Sequence, residues 1–162
     1  MIRLFPSRRV EKETGIDFEL LSNICTDIFE KGFGRKINIY CRVWKSRVKE
    51  QSTMERPSRS ICYYKMDLDI EGNRRYVFGS ILHELRHAFQ EYIFNFTTVA
   101  RFASYNAYYN SKEERDARKQ EKLTTEVMKI YDNFKKAERI KRRKRKIFIN
   151  RIVIKLQNFY GN

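Results

Sequence analysis

The only two histidines of this 162-residue chain, His83 and His87, lie four positions apart in a His-Glu-x-x-His motif. Residues four apart share one side of a helix, so both rings can offer a nitrogen to one metal ion, with Glu84 beside them. A metal held by two histidines and a carboxylate keeps a position open for water, whose proton the glutamate can accept. The motif therefore predicts a hydrolytic zinc (Zn2+) site with Glu84 as general base.

Apolar residues recur at helical spacing around this motif and predict a helix that buries one face and presents the histidines on another. They are Val77, Phe78, Ile81, Leu82, Leu85, Phe89 and Tyr92. A turn at Glu71-Gly72-Asn73 precedes the helix. Two histidines used in this way are more consistent with a metal site than with ordinary core residues.

The third ligand must be a carboxylate from further along the chain, because no histidine remains. A second helix is predicted to follow Ser111, which can cap it. Glu113, Glu114 and Asp116 lie in its first turns and compete for the role, and their spacing does not choose among them. Acids are also common at helix N-termini because they interact favourably with the helix dipole.

The motif at residues 83–87, followed by Glu114-x-x-Ala117, resembles the ImmA/IrrE family of small gluzincin metallopeptidases. Glu114 lies 27 positions after His87, a gap similar to that of the family. The resemblance covers residues 17–135 and implies zinc bound by His83, His87 and Glu114. Arg86 stands where the family usually has Gly, and Gln120 where it often has Phe, which indicates a divergent branch. The short, basic, aromatic-rich chain suggests a phage or mobile-element product.

Peptide hydrolysis at such a site also needs a donor for the tetrahedral oxyanion. Tyr105, Tyr108 and Tyr109 lie between the two predicted helices and are candidates for this role, with packing as the alternative. Asp116 is a candidate acceptor for the ring N–H of a ligand histidine. Arg86 is an alternative partner for Asp116. A protein or peptide is the expected substrate.

The remaining elements predict an α+β fold of minimal zincin type. Asp17 can cap a helix over residues 18–31, and strict alternation predicts strands at 36–44 and 60–70. Residues 45–58 are predicted to form a loop or short hairpin. Residues 61–70 are a candidate edge strand that binds substrate through its main chain, with an interior strand as the alternative. A small sheet, the motif helix, the ligand helix and a long basic C-terminal helix complete the expected order.

Composition indicates an intracellular protein, cytoplasmic or associated with a virion. There is no signal-peptide pattern and no transmembrane segment is expected. Cys25, Cys41 and Cys62 lack close metal-ligand spacing and are expected to be buried thiols. Thirty-five Lys and Arg against 20 Asp and Glu give a net charge of +15, which favours an anionic partner.

The positive charge is concentrated near the C-terminus. Residues 135–155 contain 11 Lys or Arg and one acid, Glu138, and the densest part is Lys141, Arg142, Arg143, Lys144, Arg145 and Lys146. Such a segment can bind nucleic acid or another polyanion, lie on a membrane or partner helix, or remain a solvated face. The predicted organisation is an arm at residues 1–16, a zincin-like domain at 17–138 and a basic, apolar extension at 139–162. The alternative to a peptidase is a non-catalytic zincin scaffold, for example a virion component, that acts through this basic C-terminus.

Overall fold

The computed structural model describes residues 1–34, 36, 38–48, 52–55, 63–94 and 104–160. Within these residues the protein is a mixed α/β structure with a small, mainly parallel sheet. In chain order the elements are β1 (Ile2–Pro6), α1 (Arg8–Thr14), α2 (Phe18–Phe33), β2 (Ile39–Lys45), β3 (Thr53–Glu55), β4 (Tyr63–Leu68), α3 (Arg74–Phe94), α4 (Tyr105–Tyr109), α5 (Lys112–Glu121) and α6 (Thr124–Tyr160).

The described strands form one sheet in the order β1-β2-β4-β3. β1, β2 and β4 are parallel, and the short β3 pairs antiparallel with β4. The strands predicted from alternation at residues 36–44 and 60–70 are confirmed as β2 and β4. Their alternate side chains are buried: Ile39, Cys41, Val43, Tyr64, Met66 and Leu68. Ile37 and Cys62, expected on the same faces, lie outside the described residues.

The interpretation of residues 61–70 as an edge strand is wrong. β4 lies between β2 and β3, so it is an interior strand, which was the alternative interpretation. β3 comes from the polar segment 45–58 and pairs along Thr53 to Glu55 with β4. A strand of three residues is too short for alternation to reveal it, and its position depends on a partner elsewhere in the chain.

The arm predicted at residues 1–16 contains β1 and α1, so it is part of the sheet and not a separate appendage. Ile2 and Leu4 are buried, and β1 pairs in parallel with β2. The side chain of Ser7 accepts the N–H of Val10 and begins α1 directly after the strand. Alternation over so short a segment is weak, and the hydrogen bonds of β1 come from a strand that follows two helices later in the chain.

Two hydroxyl groups of α2 accept hydrogen bonds from the backbone of β1. The N–H of Ile2 donates to Thr26 Oγ1 at 2.7 Å, and the N–H of Leu4 donates to Ser22 Oγ at 2.9 Å. β1 is the outermost strand on its side of the described sheet. The N–H groups of Ile2 and Leu4 therefore have partners although none of the described strands lies beyond β1.

The helix predicted after Asp17 is confirmed as α2. The Asp17 side chain accepts the N–H of Leu20, and Gly34 ends the helix in the left-handed conformation, with φ 63°. The apolar stripe predicted on α3 is confirmed too. Its buried members are Val77, Phe78, Ile81, Leu82, Leu85 and Phe89. Phe89 stacks on Phe29 of α2 with ring centroids 4.5 Å apart, which joins the two helices through the core.

The chain divides into two compact units, Met1–Met128 and Lys129–Asn162. The division falls earlier than the boundary predicted after residue 138, and it lies inside α6, which begins at Thr124 and continues through the basic segment. Lys141, Arg142 and Arg143 are exposed on α6, and the side chains of Lys144, Arg145 and Lys146 are outside the described set. Among the described helices, none has the length and apolarity needed to span a membrane.

Candidate metal centre

α3 brings the two histidines together as their spacing predicts. The Asn73 side chain accepts the N–H of Tyr76 at the start of the helix, which fixes where its turns begin. His83 and His87 then lie one turn apart, with their Nε2 atoms separated by 3.1 Å and their rings in an edge-to-face arrangement. The core stripe occupies another face of α3, so both rings stay only partly buried.

Of the three competing acids on α5, Glu114 is the one that meets the histidines. Ser111 accepts the N–H of Glu114 at 3.1 Å, as expected of a cap, and sets the first turn of the helix. The Glu114 carboxylate then lies 3.2 Å from His83 Nε2 through Oε1 and 3.1 Å from His87 Nε2 through Oε2. Ala117, one turn later, is fully buried, and its small side chain allows α5 to pack closely on α3.

The three residues suit a zinc ion in both chemistry and spacing. One ligand atom from each lies within 4.8 Å of the others, and the contacts between pairs are 3.1 to 3.2 Å. Ligand atoms about 2.0 Å from a tetrahedral zinc lie about 3.3 Å from one another. Two imidazole nitrogens and one carboxylate are also ligands that zinc prefers, and they leave a fourth position for water.

The charge of Glu114 fits the role of a ligand. Burial alone would raise the pKa of this carboxyl group, since only 6% of the residue is exposed. Hydrogen bonds from His83, His87 and Tyr108 outweigh burial and hold its pKa well below the usual range. The group is therefore ionised at neutral pH, as a metal ligand must be.

Glu84 differs from Glu114 in its electrostatics. It is 5% exposed, and burial raises its pKa from 4.5 to about 7. The charges of His87 and His83 oppose this shift, and that of Glu114 adds to it. A carboxyl group whose pKa lies near the working pH is well suited to accept a proton and later return it.

Gln90 was not singled out from the sequence, yet it is the residue that holds the far side of the His87 ring. Its Oε1 lies 3.1 Å from His87 Nδ1, and its Nε2 donates to the carbonyl of Glu113 and to Asp116 Oδ2. Gln90 is three residues after His87 on the same helix and is 2% exposed. That spacing, together with the polar character of the side chain, is the signal that could have found it.

Asp116 does not contact a histidine directly, which corrects the first of its two predicted partners. It accepts hydrogen bonds from Arg86 Nε at 2.6 Å and from Gln90 Nε2 at 3.0 Å. Pairing with Arg86 was the alternative prediction. These bonds outweigh the effect of burial and lower the pKa of Asp116. Asp116 thus acts on His87 through Gln90.

The three candidate tyrosines are distributed differently around the site. The Tyr108 hydroxyl hydrogen-bonds the Glu114 carboxylate. The Tyr109 ring lies 3.7 Å from the Arg118 guanidinium carbon, and its carbonyl accepts a hydrogen bond from Arg118. The side chain of Tyr105 is outside the described set. Arg118, which the sequence did not suggest, also lies 3.7 Å from Glu114 Oε1.

No protein-family model matches the chain, and no curated protein or solved structure is significantly similar to it. The resemblance drawn from residues 83–87 and 114–117 therefore depends on those residues and on the geometry described above. The chemistry of the site itself must carry the inference of function.

Proposed function

We propose that this protein is a zinc-dependent peptidase of the zincin type, divergent within the ImmA/IrrE-like gluzincins. The observation that carries the proposal is the meeting of His83, His87 and Glu114 at 3.1 to 3.2 Å, with buried Glu84 beside them. A purely structural zinc site has no use for a buried carboxyl group of raised pKa next to its ligands. The presence of Glu84 therefore favours hydrolysis over metal binding alone.

His83, His87 and Glu114 would hold the zinc ion through two Nε2 atoms and one carboxylate. When bound, zinc lowers the pKa of a coordinated water and polarises a carbonyl group. The Glu84 carboxylate accepts the proton of the attacking water and passes it to the leaving amine. Gln90 holds His87 so that Nε2, and not Nδ1, faces the other ligands. Tyr108, whose hydroxyl hydrogen-bonds Glu114, is the candidate donor to the oxyanion among the tyrosines whose side chains the structure describes.

The first test is the zinc content of purified protein, measured by mass spectrometry for wild type and three variants. Wild type and Glu84→Gln should each contain about one zinc per chain, since Glu84 is not a ligand. Glu114→Ala should lose zinc. Glu113→Ala is the matched control, because this neighbouring acid contacts the site only through its backbone carbonyl.

The second test is cleavage of a library of internally quenched peptides. Wild type and Glu113→Ala should cleave the same peptides, and Glu84→Gln should be at least about a hundredfold slower, since general-base catalysis commonly contributes that much. If Glu84→Gln cleaved as fast as wild type while holding zinc, the peptidase mechanism would be refuted. If wild type held no zinc even after reconstitution, the metal site itself would be rejected.

A second candidate function is polyanion binding by the C-terminal unit. It is supported by the exposed cations Lys141, Arg142 and Arg143 on α6 and by the net charge of +10 over residues 135–155. Replacing these three by Gln should weaken binding to duplex DNA. It should also reduce the slope of log affinity against log salt concentration by about 0.9 for each cation that contacts a phosphate. An unchanged slope would reject this role. Such a function does not require the metal site.

A further inference from the structure

The outer face of the sheet, which is the face turned away from the core, carries aromatic rings interleaved with cations. Alternation places Ile2, Leu4, Cys41, Val43, Tyr64 and Met66 in the core, so their neighbours along each strand point the other way. Six of these neighbours define the outer face: Arg3, Phe5, Arg42, Trp44, Tyr63 and Lys65. β1, β2 and β4 contribute two of these six residues each, and Tyr40 of β2 and the acid Asp67 of β4, which lies beside Trp44, are on the same face.

The rings of this face are accessible to solvent. Phe5 is 48% exposed, Trp44 46% and Tyr63 54%. Tyr63 also stacks on Tyr40 of β2, with centroids 5.3 Å apart and planes 22° from parallel. Large rings grouped on one exposed surface mark a binding surface more often than isolated ones do. Their planar faces are suited to partners that are themselves planar.

The register of the strands places cations next to these rings. Arg3 lies beside Tyr40, and Phe5 lies beside Arg42, which in turn is beside Lys65. Lys65 donates to Asp67 at 2.7 Å. Arg3 and Arg42 are paired with no carboxylate in the part of the chain that the structure describes. Their charge is therefore available to an anionic partner.

A cavity of about 990 Å³ opens where the parallel strands end. Trp44, Lys65 and the acid Asp67 line it from the sheet. Arg9, Arg47 and Glu71 line it from the segments that follow β1, β2 and β4. Ligands of open parallel sheets bind at the carboxyl ends of the strands. The cavity continues the outer face and adds Arg47 at the end where Trp44 lies, whereas Arg9 is ion-paired with Glu13 at 2.7 Å.

We propose that the outer face binds single-stranded nucleic acid. Bases stack on Trp44, Tyr63 and Phe5, and the phosphates lie near the arginines, chiefly Arg3, Arg42 and Arg47. The alternation of stacking rings and cations is complementary to a strand that alternates flat bases with phosphates. A duplex can contact the cations through its phosphates. Its bases are already stacked on one another and are therefore not available to the aromatic rings. This surface shares no residue with the metal centre or with the basic segment of α6.

Trp44 is the only tryptophan of the chain, so its fluorescence reports directly on this surface. Titration with an oligothymidylate or an oligouridylate should quench Trp44 fluorescence to saturation. A duplex of equal phosphate content should quench it much less. Binding is measured in parallel by the anisotropy of a labelled oligonucleotide over a series of salt concentrations.

Substitutions can test the contribution of the aromatic rings and that of the cations separately. Tyr63→Leu and Phe5→Leu should each weaken binding to the single strand about tenfold, since one stacked base is worth about 1 to 3 kcal/mol. Their salt dependence should stay as in wild type. Arg42→Gln should instead reduce the slope of log affinity against log salt by about 0.7, the contribution of one phosphate contact on a single strand.

Two variants serve as matched controls. Phe134→Leu removes a ring on α6 that is as exposed as that of Tyr63, and Arg75→Gln removes an exposed cation at the start of α3. Both should bind like wild type, and thermal melts should be unchanged for all the exposed substitutions. The proposal is overturned if Tyr63→Leu and Phe5→Leu keep wild-type affinity, if the duplex quenches Trp44 as strongly, or if no single strand binds. Loss of binding only when residues 141–143 are neutralised would assign it to α6 instead.

Discussion

Gln90 Oε1 lies 3.1 Å from His87 Nδ1, and this contact determines which nitrogen of His87 carries the proton. The amide nitrogen of Gln90 already donates to the Glu113 carbonyl and to Asp116, so its oxygen must be the atom that faces the ring. An amide oxygen only accepts, and His87 Nδ1 must therefore donate. When the His87 ring is neutral, as metal binding requires, its lone pair is therefore on Nε2, beside His83 and Glu114.

Replacing Gln90 by Leu should weaken zinc binding about 10- to 100-fold, because the ring loses the acceptor that fixes its tautomer and orientation. Gln90→Glu keeps an acceptor at the same place and should stay closer to wild type. Competition with a chromophoric chelator measures both affinities. Equal affinity of Gln90→Leu and wild type would mean that the bond does not orient His87.

The metal-free protein should lose stability as the pH rises from about 5 to about 8, in part because of Glu84. The folded-state pKa of Glu84 is raised to about 7 from 4.5, so in this window the folded chain holds a proton that the unfolded chain releases. Ionising the buried group costs about 3 kcal/mol by the time the pH passes 7. The Glu84→Gln variant should not show this part of the loss of stability with rising pH. Urea denaturation of both proteins with a chelator present, at several pH values, tests the difference.

Zinc should stabilise the protein at pH about 8 and lose this effect towards pH about 5. Binding to the folded state alone adds about 2.7 kcal/mol at a free zinc concentration 100 times the dissociation constant. Histidine nitrogens must be deprotonated to bind metal, and they titrate near pH 6.5 in model compounds. Thermal melts with and without zinc should converge at low pH. A zinc shift that persisted undiminished at pH 5 would exclude His83 and His87 as ligands.

Asp116→Asn should destabilise the metal-free protein by about 2 kcal/mol, because it removes the charge that faces Arg86 at a site where the arginine side chain is only 10% exposed. Asp67→Asn is the matched comparison, since its partner Lys65 is 40% exposed. A pair so open to solvent contributes less than about 1 kcal/mol. Urea denaturation of both variants gives the two values. Similar losses at the two positions would contradict the assigned role of Asp116.

The parts of the site that sequence could predict are those encoded locally. The His-Glu-x-x-His spacing fixes the relation of His83 to His87 on any helix, and Ser111 marks the start of α5 through its own hydroxyl. The choice of Glu114 over Glu113 and Asp116 depends on how α5 rotates against α3, which spacing within one helix does not specify. The role of Gln90 was not predicted for a similar reason, since it requires two partners from α5.

The two predictions about the sheet that the structure corrects, the arm at residues 1–16 and the edge position of β4, failed for a common physical reason. β1 and β3 are short, and each exists through hydrogen bonds to a strand that is distant in the sequence. β2 and β4 alternate over longer stretches and could be recognised without their partners. Nonlocal pairing also decided that β4 is interior, because the three residues of β3 occupy the side on which a substrate was expected.

The hydroxyls of Ser22 and Thr26 determine whether the sheet can grow beyond β1. An outermost strand usually offers a row of N–H groups on which another chain can add. Here the N–H groups of Ile2 and Leu4 are already bound by α2, so an incoming strand would have to break both bonds before forming its own. α2 therefore ends the hydrogen-bonded ladder of the sheet at β1, and it protects this strand from strand exchange and fibril-like stacking.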